Sequence, residues 1–173
     1  MIIMLNGTFG VGKTTIATAL QQRLPHALIF DPEPLGIVVR NLTEGVRTSS
    51  EDTDNFQDIL LWRSLTIATA EGLYEKYRRP LIIPMTIVNL DYFTTIRTAL
   101  FTIAPVSHFC LVAPLGVIRE RLTERNDDVN DWAWRKSQQY VPQFTSAHYA
   151  QHVETANRSI PSITEEIFNS IGS

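Results

Sequence analysis

The chain opens on an uninterrupted apolar run, residues 1–5, closed by Asn6-Gly7. A short run without alternation is what a strand covered on both faces requires. From Lys13 onward Ile16, Ala17, Leu20 and Leu24 recur at helical spacing until Pro25 stops the pattern, so strand, glycine loop and helix follow in that order. Residues 27–30 predict a second strand, ended by Asp31-Pro32 because a residue before proline is pushed out of the helical region. Residues 34–42 read as a short helix. The acidic, Ser/Thr-rich stretch 47–55 is a loop whose Asp54 or Asn55 caps a long helix over 56–77. Residues 80–88 then form a buried strand with Pro84 at its end rather than its middle. A helix over 91–104, a strand over 106–112 and a helix opened by Pro114 follow. Beyond the polar segment 126–131 lie a helix of about 15 residues from near Trp132, a short strand over 152–155 and a closing helix over 162–171.

Strands separated by helices throughout predict an α/β fold, a parallel sheet with helices on both faces. With 173 residues, no internal repeat and no linker, the expectation is one domain, 1–173. No stretch of 18 or more uncharged apolar residues is present, and no basic, apolar and small-residue leader opens the chain, so a cytoplasmic protein without integral membrane association is expected. The one cysteine, Cys110, excludes an intrachain disulfide and reads as a buried strand thiol. A net charge of −3 gives no basic field for nucleic acid, and the four histidines lack metal-ligand spacing. Lys13, Lys76 and Lys136 are the only lysines, whereas arginines are plentiful and include the cluster Arg119, Arg121 and Arg125. Arginine's planar fork suits phosphate, although the same cluster also reads as a solvated helix face beside Glu120 and Glu124.

Candidate chemistry starts at residues 7–15, GTFGVGKTT, where Gly7, Gly12, Lys13 and Thr14 satisfy G-x-x-x-x-G-K-[ST] between a predicted strand and a predicted helix. Glycines permit torsions that turn successive N–H groups onto an anion, so Gly7, Thr8, Phe9, Gly10, Val11, Gly12 and Thr15 form a backbone cradle. Lys13 reaches the outer phosphates, Thr14 ligates magnesium, and the positive end of the following helix adds to the field. Such a loop specifies a nucleoside triphosphate, not a reaction. No Asn-Lys-x-Asp motif for guanine is present, and the third strand does not end in an aspartate.

The acid comes instead from Asp31 and Glu33, at the carboxyl end of the second strand, which in a parallel sheet opens onto the rim of the phosphate loop. Asp31 there accepts a proton from an attacking hydroxyl, holds magnesium through water, or merely shapes the turn before Pro32. Arg63, set in an apolar stretch, calls for an anionic or strongly accepting partner, and Thr86 follows the third strand onto the same rim. Trp132 and Trp134 either stack on a sugar or base or anchor their helix.

The phosphate loop followed by FDPEPLG, VVR, FQDILLWRSL, LIIPMTIVNLDYF and RERLTER resembles the tunicamycin resistance protein group of P-loop proteins, relatives of shikimate kinase, nucleoside monophosphate kinases and chloramphenicol phosphotransferase. The resemblance implies a three-layer P-loop NTPase fold with strand order 2-3-1-4-5, ATP with Mg2+, and a mobile lid around 119–135. It matches Asp31 to the acceptor-side aspartate, and Arg121 and Arg125 to the lid-base arginines that stack on adenine and contact phosphates. It matches Arg40 to an arginine that grips an acceptor's anionic group. The lid segment 126–131 is short and acidic, unlike an arginine-bearing lid, and a basic C-terminal tail is not seen. Three functions follow as expectations: an ATP-dependent phosphotransferase on a small hydroxylated molecule, a nucleotide-dependent protein that sequesters an antibiotic without chemistry, and a nucleotide kinase.

Overall fold

The computed structural model describes residues 1–125 and 130–171. Its elements are β1 (Ile2–Asn6), α1 (Lys13–Arg23), β2 (Leu28–Ile29), α2 (Glu33–Leu42), α3 (Leu60–Tyr77), β3 (Leu81–Met85), α4 (Leu90–Ile103), β4 (Val106–Val112), α5 (Leu115–Glu124), α6 (Asn130–Phe144), β5 (His152–Glu154) and α7 (Ile160–Ser170). All five strands join one parallel sheet in the order 2-3-1-4-5.

β1 lies at the centre, paired with β3 on one side and β4 on the other. Its side chains alternate between two cores, as the pleat dictates. Ile2 and Met4 join Ile83, Trp62, Phe93 and Ile96 under α2, α3 and α4. Ile3 and Leu5 join Ile16, Leu20, Phe109 and Ile118 under α1, α5 and α7. Every β1 residue is buried, so each of these apolar side chains contributes roughly 1.5–3 kcal/mol of transfer free energy. Because the chain leaves β1 where its neighbours run off in opposite directions, the loop after it opens at the crevice in which ligands of such sheets bind.

Several boundaries differ from the sequence pattern, among them β3, which stops at Met85 rather than running to residue 88 and pairs Pro84 with Leu5 inside the ladder. β2 spans only Leu28 and Ile29, an edge strand whose last ladder contact is the Phe30 amide donating to the Ile82 carbonyl at 2.9 Å before Asp31-Pro32 turns the chain. The predicted helix over 56–77 is interrupted. Asn55 Oδ1 accepts from the Gln57 amide and caps a 3-10 turn (Phe56–Asp58), and Ile59 is extended (φ −75°, ψ 114°) before α3 begins. The closing helix starts two residues early, at Ile160, because Ser159 rather than a later residue caps it through the Ser162 amide.

Candidate nucleotide and acceptor site

The site is built outward from Asn6, the one polar residue of β1. Its Nδ2 donates to the Ile87 carbonyl at 3.0 Å, while its Oδ1 accepts from the Ile87 amide at 2.9 Å and from the Gly7 amide at 3.0 Å. Both partners are buried, so this amide fixes the entrance of the phosphate loop against the exit of β3. Gly7, Gly10 and Gly12 then take φ values of 145°, 73° and 102°. A Cβ at Gly7 would lie 2.5 Å from the Leu111 carbonyl oxygen, so the tight approach of loop to sheet admits glycine alone. Gly12 precedes α1 without any side-chain cap, and the first turn holds no acidic residue. The first amides of α1 are thereby left to an anion, at the positive end of the helix.

Lys13 is half-buried, and its Nζ donates to the carbonyls of Gly7 at 3.0 Å and Thr8 at 2.9 Å. Burial pulls its ammonium down to about 8, against the attraction of Glu33 and Asp31. A polyphosphate at this position would favour the charged form. The loop is held from both flanks. Thr8 Oγ1 donates to Ser137 Oγ of α6 at 3.1 Å. The guanidinium of Arg121 donates to the Val11 carbonyl at 3.3 Å and to Thr155 Oγ1 and O at 3.0 and 2.7 Å, joining the loop to the turn after β5.

Three adjoining cavities form a continuous trough. The first, about 460 Å³, lies over Gly12 and Thr15 and is walled by Arg121, Arg125, Thr155 and Ile163. The second, about 280 Å³, holds Lys13, Thr14, Asp31, Glu33 and Arg125. The third, about 120 Å³, is bounded by Phe9, Phe56, Trp132 and Tyr140 with Glu33 and Thr86. Gly10, Gly12 and Arg125 are shared by the first two, and Phe9, Glu33 and Trp132 by the last two. The Lys13 cavity thus lies between the larger cavity beside Arg121 and the small aromatic chamber.

Asp31 and Glu33 stand where the second and third cavities meet. Asp31 Oδ1 accepts from the Glu33 amide at 2.9 Å, so it does shape the turn into α2, while its carboxylate still lines the Lys13 cavity. Burial holds the Glu33 carboxyl above its usual range, opposed by Lys13 and reinforced by Asp31. The turn itself is positioned by the Trp62 indole, which donates to the Pro32 carbonyl at 3.0 Å. Thr86, 5% exposed, accepts from Gln57 Nε2 through its carbonyl at 2.7 Å, whereas its own Oγ1 has no hydrogen-bond partner.

Most of the sequence-predicted residues meet in this trough, but two arginines do not. Arg40 donates to the Thr53 carbonyl at 2.8 Å, and Arg63 donates to the Gln57 carbonyl and stacks 4.1 Å over the Tyr92 ring. Neither lines any of the three cavities. Arg119 points away as well, onto Trp134 at 5.6 Å, so that tryptophan anchors its helix while Trp132 packs edge-on to Phe9 at 5.1 Å in the chamber wall. Of the expected lid, residues 126–129 lie outside the described residues. Sequence reading missed Asn6, Ser137 and Thr155. A buried asparagine ending an apolar strand was the one available signal, since the other two depend on partners more than 30 residues away.

The comparisons agree with this architecture. The chain is 27% identical to the tunicamycin resistance protein of Deinococcus radiodurans, with a TM-score of 0.78 over 99% of this chain and 95% of that one. A gluconokinase from Sinorhizobium meliloti shares the fold at 19% identity, a TM-score of 0.65 and coverage of 96% and 89%. So does a shikimate kinase from Acinetobacter baumannii at 14%, with a TM-score of 0.59 and coverage of 97% and 90%. No curated protein matches the chain. No described helix is long and apolar enough to cross a membrane. With residues 2–144 matched by the family model described as an AAA domain, on a P-loop kinase-like α/β fold, the chain belongs to that family.

Proposed function

We propose that this protein is an ATP-dependent phosphotransferase acting on a hydroxyl group of a small molecule. The observation that carries the reading is the meeting of Lys13, Thr14, Asp31 and Glu33 around one cavity, between a room for a base and a chamber for an acceptor. Thr14, exposed at the head of α1, and the Asp31 carboxylate supply oxygen ligands of the kind Mg2+ takes, directly or through water. Bound magnesium-ATP supplies the phosphoryl group, whose bond to the β-phosphate breaks as the acceptor oxygen bonds to phosphorus, leaving ADP.

The protein's part is positioning and charge. Backbone amides from Phe9 to Thr15 hold the phosphates, Lys13 and Arg125 offset their charge, and Arg121 walls the base. Asp31, with Glu33 beside it, takes the proton from the acceptor hydroxyl. Phe9 and Trp132 exclude water from the reacting centre. Likeness to a tunicamycin resistance protein makes tunicamycin, a nucleoside-type antibiotic, the first acceptor to test.

The experiment is mass spectrometry of candidate acceptors after incubation with protein, ATP and magnesium. The mass of one added phosphoryl group is expected, and Asp31→Asn is expected to reduce its formation about 10²-fold or more while ATP binding persists. Tight acceptor binding with no change of mass would replace this reading with nucleotide-dependent sequestration.

A further inference from the structure

The chamber beyond Glu33 has properties that select an occupant. Its volume of about 120 Å³ is below the roughly 150 Å³ of an engineered cavity that binds benzene, so it seats one ring only where that ring reaches toward the adjoining second cavity. Four of its walls are aromatic, Phe9, Phe56, Trp132 and Tyr140. Among the described residues lining it, none is positively charged, and the single acidic one is Glu33. The nearby lysine of α6, Lys136, is taken up by Asp54 at 2.8 Å, and the two arginines expected to grip an anion are bonded to the carbonyls of Thr53 and Gln57. A carboxylate or phosphate placed there would lose its hydration beside Glu33, while the lysines behind the Phe9 and Trp132 walls are already engaged, Lys13 with the carbonyls of Gly7 and Thr8 and Lys136 with Asp54. Against that, Thr86 lines the chamber, and its buried Oγ1 has no hydrogen-bond partner. Such a group is destabilising until something bonds to it.

We propose that the acceptor presents to this chamber an uncharged ring carrying hydroxyl groups, seated between the aromatic walls with one polar atom on Thr86 Oγ1, and that Thr86 is a specificity-determining residue. The inference rests on the third cavity being the acceptor site of the phosphotransferase proposed above. It excludes as acceptors the sugar acids and monophosphates that a kinase fold of this kind otherwise accommodates.

The test uses neutral and anionic pairs of one ring framework, glucose with glucuronate and uridine with uridine monophosphate. Binding is followed by ligand-observed NMR with the full-length protein, magnesium and a non-hydrolysable ATP analogue. ADP release with ATP is measured in parallel. A neutral member is expected to bind at least about tenfold more tightly than its anionic partner. Thr86→Val, which replaces the hydroxyl by a methyl of similar size, is expected to weaken that ligand about tenfold, and Thr86→Ser to retain it. ATP-analogue affinity is expected to stay unchanged in both. The melting temperature of ligand-free Thr86→Val is expected to stay level or rise, where a structural hydroxyl would lower it. Equal or tighter binding of the anionic member, binding of no member of either pair, or indifference to Thr86→Val overturns the proposal. Neutral-ring binding without ADP release supports it and counts against phosphoryl transfer instead.

Discussion

Lys13 offers a prediction whose size can be worked out. Its ammonium is half-buried under its own loop and titrates at about 8, because burial outweighs the attraction of Glu33 and Asp31. A polyanion in the cradle interacts with the charged form alone, so binding returns the group toward its ordinary value near 10.4. The sign follows directly. Below pH 8 the free protein already carries the charge and binding needs no proton. Above it, binding must take one up. At pH 7 a group of that pKa is roughly nine-tenths protonated, so uptake is about 0.1 proton per ATP; at pH 9 it is roughly one-tenth protonated, and uptake approaches about 0.9. Affinity should fall by at most about tenfold over the same interval. Isothermal titration of magnesium-ATP at pH 9, in two buffers of different ionisation enthalpy, reads the uptake as the slope of heat against buffer enthalpy. At pH 9 ATP and its magnesium complex are fully deprotonated and contribute no proton to the slope. Retained binding with a slope of zero would refute the reasoning and detach Lys13 from the phosphates.

The Asn6 amide makes three buried bonds, so Asn6→Ala should destabilise the protein by roughly 3 kcal/mol, seen as a fall of about 6–12 °C in melting temperature. A Cβ at Gly36 would lie 2.5 Å from the Phe56 ring, which packs tilted against Trp62 and walls the third cavity, the proposed acceptor chamber. Gly36→Ala should therefore cost about 1–3 kcal/mol and raise the acceptor KM with the ATP KM unmoved. Glu33→Gln should lower kcat about 10²-fold if Glu33 shares the proton with Asp31, and the acid limb of the pH–rate profile should shift, since burial holds that carboxyl above its usual range. The Lys136–Asp54 pair has a largely exposed acid, and Lys136→Ala should change stability by less than about 1 kcal/mol.

The sheet and the phosphate loop were legible because both depend on short-range pattern. A parallel strand buried on two faces is a plain apolar run, and G-x-x-x-x-G-K-[ST] carries its own backbone requirement. The interruption at Ile59 was not legible. Phe56, Ile59, Leu60 and Arg63 keep helical spacing across it, and only the Asn55 cap and the extended Ile59 show that the period spans two elements. Arg40, matched by resemblance, and Arg63, set in an apolar stretch, lie outside the three cavities for a related reason: their partners are backbone carbonyls of the 53–57 segment, whose path no periodicity encodes. Asp31 lines the Lys13 cavity on the rim where the end of an apolar run before proline puts it, whereas the burial of Glu33 depends on the aromatic chamber and has no sequence pattern.

The measurement that tests the central claim most directly is amide NMR of the folded protein titrated with ATP in magnesium buffer. The account predicts saturable shifts that are largest at Gly10, Gly12, Lys13 and Thr14, with smaller ones at Thr155 and Glu33. A titration that leaves those amides unmoved would contradict it.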